Sequence, residues 1–246
     1  MPRFFVNEDQ INKEDKIITV IGDDARHIAR SLRMAVGDSL TVSDGCGSDY
    51  ECTLTRIRDE ECIMSYTDSF TCRAEPPAKI TLYMAYPKGD KLETIVQKAV
   101  ELGASEIVPF ISERCIKRPS ADKKDNKTER LERIAHEAAK QCGRGVLPKV
   151  SSPISFGDLV KRIKDHSITL FCYEGKDAVS LKTVLSDVKS ADSIAVIVGS
   201  EGGFSEREAL ECKNGGALTV NLGPRILRCE TAPDYCLSAL SYVFEL

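Results

Sequence analysis

Histidine and metal-ligand spacing are the first things this chain is short of. Its 246 residues include three histidines, His27, His136 and His166, and ten cysteines scattered from Cys46 to Cys236 without one C-x-x-C pair. That pattern argues against a zinc site, and no metal is expected. Long apolar runs are missing as well. None approaches the roughly 20 residues of a membrane span, and the opening MPRFFVNEDQ lacks the apolar core of a signal peptide. A cytoplasmic protein with reduced thiols, most of them small core residues, is the expectation. Two phosphate signatures are absent too. The glycine-rich stretch VGSEGGFSEREAL, Val198 to Leu210, does not fit G-x-G-x-x-G, and the Lys-Ser/Thr pair of a P-loop is not there. A dinucleotide-dependent oxidoreductase is therefore disfavoured.

What is present is the composition of a soluble globular protein, 42% hydrophobic and 29% charged, long enough for one or two domains. The net charge of −4 argues at first against nucleic acid, but it is unevenly spread. Residues 1–75 hold nine Lys/Arg against fifteen Asp/Glu, so the rest of the chain is slightly basic. The most basic stretch is SERCIKRPSADKKDNKTERLERI, in which Pro119 to Asp122 mark a loop. Such a segment is either solvated surface or a patch for RNA phosphates.

The chain reads as two halves. RFFV, IITVIG, SLTVSDG, YECTLTRI and CIMSYTD are short β-rich runs with one helix among them near Ala25–Met34, which suggests a small β-barrel. Pro76-Pro77 then breaks the pattern, and the expected division is 1–74 and 75–246. After it, strands and helices alternate: KITLYMAY, a helix over GDKLETIVQKAVELG with Leu92, Ile95, Val96 and Ala99 on one face, IVPFIS, a helix over KTERLERIAHEAAKQCGR, SITLFCYE, LKTVLSDV, IAVIVG, ALTVNLG and a last helix over TAPDYCLSALSYVFEL. Alternation of this kind means a mostly parallel sheet with helices on both faces, an α/β fold. The last helix is apolar on more than one side, so it is buried within the chain or against a second subunit.

Two loops stand out. Gly199–Gly203 follows a buried strand and precedes a helix whose start is marked by capping-box spacing between Ser205 and Glu208. Taken alone it is either a structural turn or a ligand loop. Because Glu201 lies inside it, any ligand is expected to be neutral or cationic. NLGPRILRCETA, Asn221 to Ala232, repeats the order of strand, glycine, helix, with Thr231 and Asp234 at cap spacing. The two strand ends are expected to be adjacent, so that the loops form a crevice at the carboxyl edge of the sheet, with an apolar slot suited to a flat heterocycle.

On these segments the chain resembles the bacterial 16S rRNA (uracil-N3)-methyltransferases, a branch of the SPOUT superfamily. The resemblance spans nearly the whole length: RFF at Arg3–Phe5, KGDKLETIVQKAVELG at Lys88–Gly103, ISERC at Ile111–Cys115, EAAKQCGR at Glu137–Arg144, GSEGGFS at Gly199–Ser205 and LGPRILRCETA at Leu222–Ala232. Ser200 departs from the family's usual proline, Cys229 from an expected threonine, and Pro233 is unusual. The resemblance implies an N-terminal PUA-like RNA-binding barrel and a C-terminal SPOUT domain with a trefoil knot. It implies S-adenosylmethionine held by Gly199, Glu201, Gly202 and Gly203 of one loop and by Leu222, Gly223, Ile226, Leu227, Arg228, Cys229, Thr231 and Ala232 of the other. It also implies a homodimer acting on 16S rRNA within the assembled small ribosomal subunit. With that chemistry in view, Arg228, beside Arg225, is the candidate to stabilise a uracil anion, and Glu230 is the nearest candidate base. Arg3, Arg114, Lys123, Lys124 and Arg144 are the candidate RNA contacts. Two alternatives stay open, namely methylation of another base or of ribose, and an RNA-binding relative without catalysis.

Overall fold

The computed structural model describes residues 1–58, 60–116, 124–175, 177–188 and 190–246, with the side chains of residues 124 and 125 also outside the description. The chain forms two compact units. The first is Met1–Glu75 together with Ala139–Leu147, and the second is Pro76–Ala138 with Pro148–Leu246. The sequence expectation divided the chain once, whereas nine residues that begin in the last turn of a helix belong to the first unit.

In the first unit, β1 (Arg3–Phe5), β2 (Ile11–Asn12), β3 (Ile17–Ile21), β4 (Ser39–Ser43), β5 (Ser48–Ile57) and β6 (Glu61–Thr71) form one curled sheet, and a short helix α1 (Asp23–Arg26) continues as a π-turn over His27–Ser31. The strand order is β1-β4-β5-β6-β3-β2. Every pairing is antiparallel except β1 with β4. Alternating side chains of these strands point inward, so Phe4, Ile18, Val20, Leu40, Leu54 and Met64 share one core. The returning segment is fastened by charge. Arg144 is only 2% exposed. Its guanidinium donates to Glu75 from Nε at 2.9 Å and from Nη2 at 2.8 Å, while Glu75 Oε1 also accepts from the backbone N–H groups of Gly145 and Val146.

The second unit contains β7 (Lys79–Ala85), α2 (Lys91–Glu101), β8 (Ala104–Ile111), α3 (Lys124–Cys142, to Ala138), β9 (Lys149–Val150), β10 (Ile154–Ser155), α4 (Phe156–Arg162), β11 (Ile168–Cys172), β12 (Val179–Ser180), α5 (Leu181–Asp187), β13 (Ser193–Val198), α6 (Glu206–Asn214), β14 (Leu218–Asn221) and α7 (Thr231–Phe244). The sheet runs β10-β8-β7-β13-β11-β14-β12, with β9 also on β8, and all its pairings are parallel. A parallel sheet covered on both faces needs strands apolar on both sides, and β7 and β13 are buried along nearly their whole length. The face of α2 made by Leu92, Ile95, Val96 and Ala99 is buried as its period requires. Gly103 ends that helix region with φ +92°, and a Cβ there would stand 2.7 Å from Pro76 Cγ. The strand order corrects one expectation. β13 and β14 are not neighbours, because β11 lies between them.

Candidate functional site

At the carboxyl ends of β13, β11 and β14 lies a cavity of about 630 Å³, within the usual range for small-molecule sites. The glycine loop after β13 forms one wall through Val198, Gly199, Ser200, Glu201, Gly203 and Phe204, and the loop after β14 forms the other through Leu222, Arg225, Ile226, Leu227, Arg228 and Cys229. The inserted β11 supplies Cys172, Tyr173 and Glu174 between them. Sequence reasoning found the strand that ends in these three residues but not their position, since strand neighbours are chosen in three dimensions.

The glycine loop has little freedom to change. A Cβ on Gly199 would lie 2.9 Å from the Phe204 ring and 3.2 Å from Gly203 Cα, and Gly203 itself has φ +63°. Phe204 is anchored behind it, edge-on to Phe171 at 4.7 Å and stacked on Phe110 at 6.2 Å. Gly202 packs against the segment after β8. It does not line the cavity. Its Cβ direction points at Arg114, 2.9 Å from that residue's Cβ and 3.0 Å from its carbonyl oxygen. Arg114 in turn donates to the Gly202 carbonyl at 3.3 Å and lies on the cavity wall. The helix after the loop starts as its sequence predicts. Ser205 Oγ accepts from the Glu208 N–H, and the Glu208 carboxylate accepts from the Ser205 N–H at 3.0 Å. The other oxygen of Glu208 accepts from the Glu113 N–H at 2.7 Å, so one buried carboxylate ties the ISERC segment to the cavity loop.

The second loop offers binding groups rather than packing. Ile226 is 85% exposed, and among the described residues the backbone N–H groups of Ile226, Leu227 and Arg228 have no hydrogen-bond partner. Arg225 and Arg228 are exposed and form no ion pair with any described residue. Gly223 has φ +98° and open space at its Cβ position; like Thr231, it does not line the cavity. Ala232 does. The expected cap of the last helix is not made: α7 begins at Thr231 without a side-chain cap, and Asp234 pairs with Lys98 at 2.9 Å instead.

Glu230 is engaged in a bridge. Its Oε2 is 3.1 Å from Lys91 Nζ and accepts from the Cys229 thiol at 3.2 Å. Burial alone would raise its carboxyl, but its own backbone amide, Cys229 and Lys91 outweigh that and hold it below the usual carboxylate range. An anion held in this way is a weak base. Burial, reinforced by Glu230, pushes the Cys229 thiol up to about 12, which makes it an inert wall residue rather than a nucleophile. Lys91, which no loop motif points to, lies on the cavity wall.

Of the candidate RNA contacts, Arg114 alone is both described and accessible. Arg3 is bidentate to Asp49 at 2.6 and 2.8 Å and largely buried, and Arg144 is spent on Glu75. A guanidinium withdrawn from solvent and matched by a carboxylate has no face left for a phosphate. Lys123 lies outside the described residues, as does the Lys124 side chain.

The apolar slot, its free amides and its carboxylates suit a flat heterocycle joined to a cationic group, and the carboxyl edge of a parallel sheet is where α/β proteins bind such ligands. An RNA methyltransferase domain matches residues 74–241, and an RNA methyltransferase PUA domain matches residues 20–63. The ribosomal RNA small subunit methyltransferase E of Bacillus subtilis (strain 168) is 33% identical over 100% of this chain and 98% of its own. A crystal structure of the ribosomal RNA small subunit methyltransferase E of Neisseria gonorrhoeae bound to S-adenosyl methionine aligns with TM-score 0.86 and 28% identity over 99% of this chain and 98% of its own. A putative methyltransferase of Legionella pneumophila, solved with bound cofactor SAM, aligns with TM-score 0.84 and 27% identity over 98% of this chain and 97% of its own. The chain belongs to the RNA methyltransferase family typified by ribosomal RNA small subunit methyltransferase E.

Proposed function

We propose that this protein transfers the methyl group of S-adenosylmethionine to N3 of a uridine in 16S rRNA. The observation that carries the reading is the cavity at the ends of β13, β11 and β14, with an apolar slot and, among the described residues, unpartnered amides. The residues fit the cofactor. Ile226, Leu227 and Leu222 would flank the adenine, the free N–H groups of the second loop would meet its polar edge, and Glu201, Glu174 and Glu206 would offset positive charge. When bound, the cofactor supplies an electrophilic methyl group on a sulfonium.

Protein groups then have two tasks, holding the base in line and favouring its N3 anion. Arg228 and Arg225, exposed at the cavity, stabilise negative charge developing on the uracil oxygens. Glu230 is committed to Lys91, so the guanidinium carries more of the burden and the N3 proton leaves to solvent. The uridine is unpaired or flipped out, because a base edge inside a duplex is out of reach. The first unit, with the PUA match, holds the surrounding RNA by shape and phosphate contacts. The knotted topology, the homodimer and an assembled small subunit as substrate complete the reading.

Mass spectrometry of nucleosides from 16S rRNA, with and without the gene, tests it. Loss of 3-methyluridine on deletion is expected. Loss of a ribose-methylated or C5-methylated uridine in its place would transfer the protein to another reaction of the same class.

A further inference from the structure

The two loops that wall the cavity sit on strands that do not pair with each other, since β11 separates β13 from β14. The β11 ladders fix the spacing of the two strands, but no strand pairing joins the loops beyond their ends. One side chain spans the gap between them. Lys91, in the first turn of α2, places Nζ 3.0 Å from Glu201 Oε1 of the glycine loop and 3.1 Å from Glu230 Oε2 of the second loop. The Cys229 sulfur lies 3.8 Å from the same nitrogen. The Lys88 backbone N–H adds a second hold on Glu201, at 3.3 and 3.4 Å from its two oxygens. Among the described residues no other side chain is ion-paired to both loops.

We propose that Lys91 is a positioning residue that sets the width of the cofactor cleft, holding Glu201 and Glu230 together so that both loops are pre-arranged for S-adenosylmethionine. The inference rests on the cofactor reading above. Without the ammonium the two carboxylates repel one another across the cleft, and binding must order two separated loops. Pre-arrangement removes that cost from binding and leaves the chemical step alone. The three side chains are partly shielded, each about one-third exposed or less, so the bridge is less screened than a pair in open water. The Lys91 ammonium is already matched by two anions, which suits a brace better than a direct contact to a cofactor that carries a sulfonium.

The test is calorimetry with S-adenosylmethionine and S-adenosylhomocysteine, paired with steady-state kinetics, on the full chain. Lys91→Met is expected to weaken both ligands by about tenfold, as for groups that act as a unit, and to raise KM for the cofactor with little change in kcat. Lys91→Arg should restore affinity. Adding Glu230→Gln to Lys91→Met should recover part of the loss, because it removes the repulsion, an outcome that a general loss of stability would not produce. Should Lys91→Met fail to fold, Glu230→Gln alone is expected to weaken both ligands by a smaller factor. Unchanged affinity in Lys91→Met, or in Glu230→Gln if only that variant folds, overturns the proposal while the cofactor reading stands. A double variant no better than Lys91→Met overturns it as well. Wild-type protein that binds neither ligand overturns the cofactor reading and the brace together.

Discussion

At the scale of single residues, two arginines of the resemblance motifs meet opposite surroundings. Arg228 is exposed at the cavity without an ionic partner among the described residues, whereas Arg144 is 2% exposed and bidentate to Glu75. Arg228→Ala should therefore lower turnover by roughly a hundredfold, the scale of one lost oxyanion donor, with cofactor affinity nearly unchanged in calorimetry. A variant that methylates at the wild-type rate would make Arg228 a bystander. Arg144→Met should instead lower stability by about 3 kcal/mol, because it strands the Glu75 carboxylate in a mostly buried site. Urea denaturation reads that loss. The salt dependence of RNA binding should keep its slope, since no phosphate contact is removed; a flatter slope at unchanged stability would show that the guanidinium reaches RNA.

At the scale of elements, the glycine loop is positioned from both of its ends. Phe204 anchors it in an aromatic cluster with Phe171 and Phe110, and Glu208 binds the start of α6 to the segment after β8 through the N–H groups of Ser205 and Glu113. Capping boxes are ordinarily local devices of a helix end. Here the same carboxylate also fixes Glu113, next to Arg114, whose carbonyl and Cβ meet Gly202. Glu208→Ala removes a cap and leaves two part-buried N–H groups without their acceptor, a cost of about 2 kcal/mol. A thermal midpoint equal to that of wild type would mean that solvent replaces the carboxylate at both amides.

At the scale of the whole molecule, α7 buries Ala232, Cys236, Leu237 and Leu240 yet leaves Tyr235, Tyr242 and Val243 exposed, with Leu246 beyond its end. Tyr235 and Tyr242 are seven positions apart and so share a face of the helix. The same helix borders the cavity through Ala232. A homodimer that covers this face should bury about 1,200 Å² or more in total. Light scattering at micromolar concentration should give twice the chain mass, and Tyr242→Glu should shift it towards one chain. A wild-type monomer under those conditions would remove the dimer from the proposed function. Among the described residues no helix is long and apolar enough to cross a membrane.

What the sequence determined by itself is what short-range physics controls. Hydrophobic period placed the buried faces of α2 and the buried strands β7 and β13, and the Ser205–Glu208 spacing placed the start of α6. The order of strand, glycine turn and helix marked both cavity loops. Other features depend on which distant segments meet, and no local signal carries that. The insertion of β11 between β13 and β14 brought Cys172, Tyr173 and Glu174 to the cavity. A cap spacing at Thr231 lost to an ion pair between Asp234 and Lys98, 136 positions apart. An arginine in sequence shows its charge but not its partner, so only the folded chain could give Arg144 to Glu75, 69 positions away, and leave Arg228 exposed on the cavity wall. Lys91 is the same case. Its position within α2 is written in a helical period, but its hold on Glu201 and Glu230 exists only once three separate segments converge.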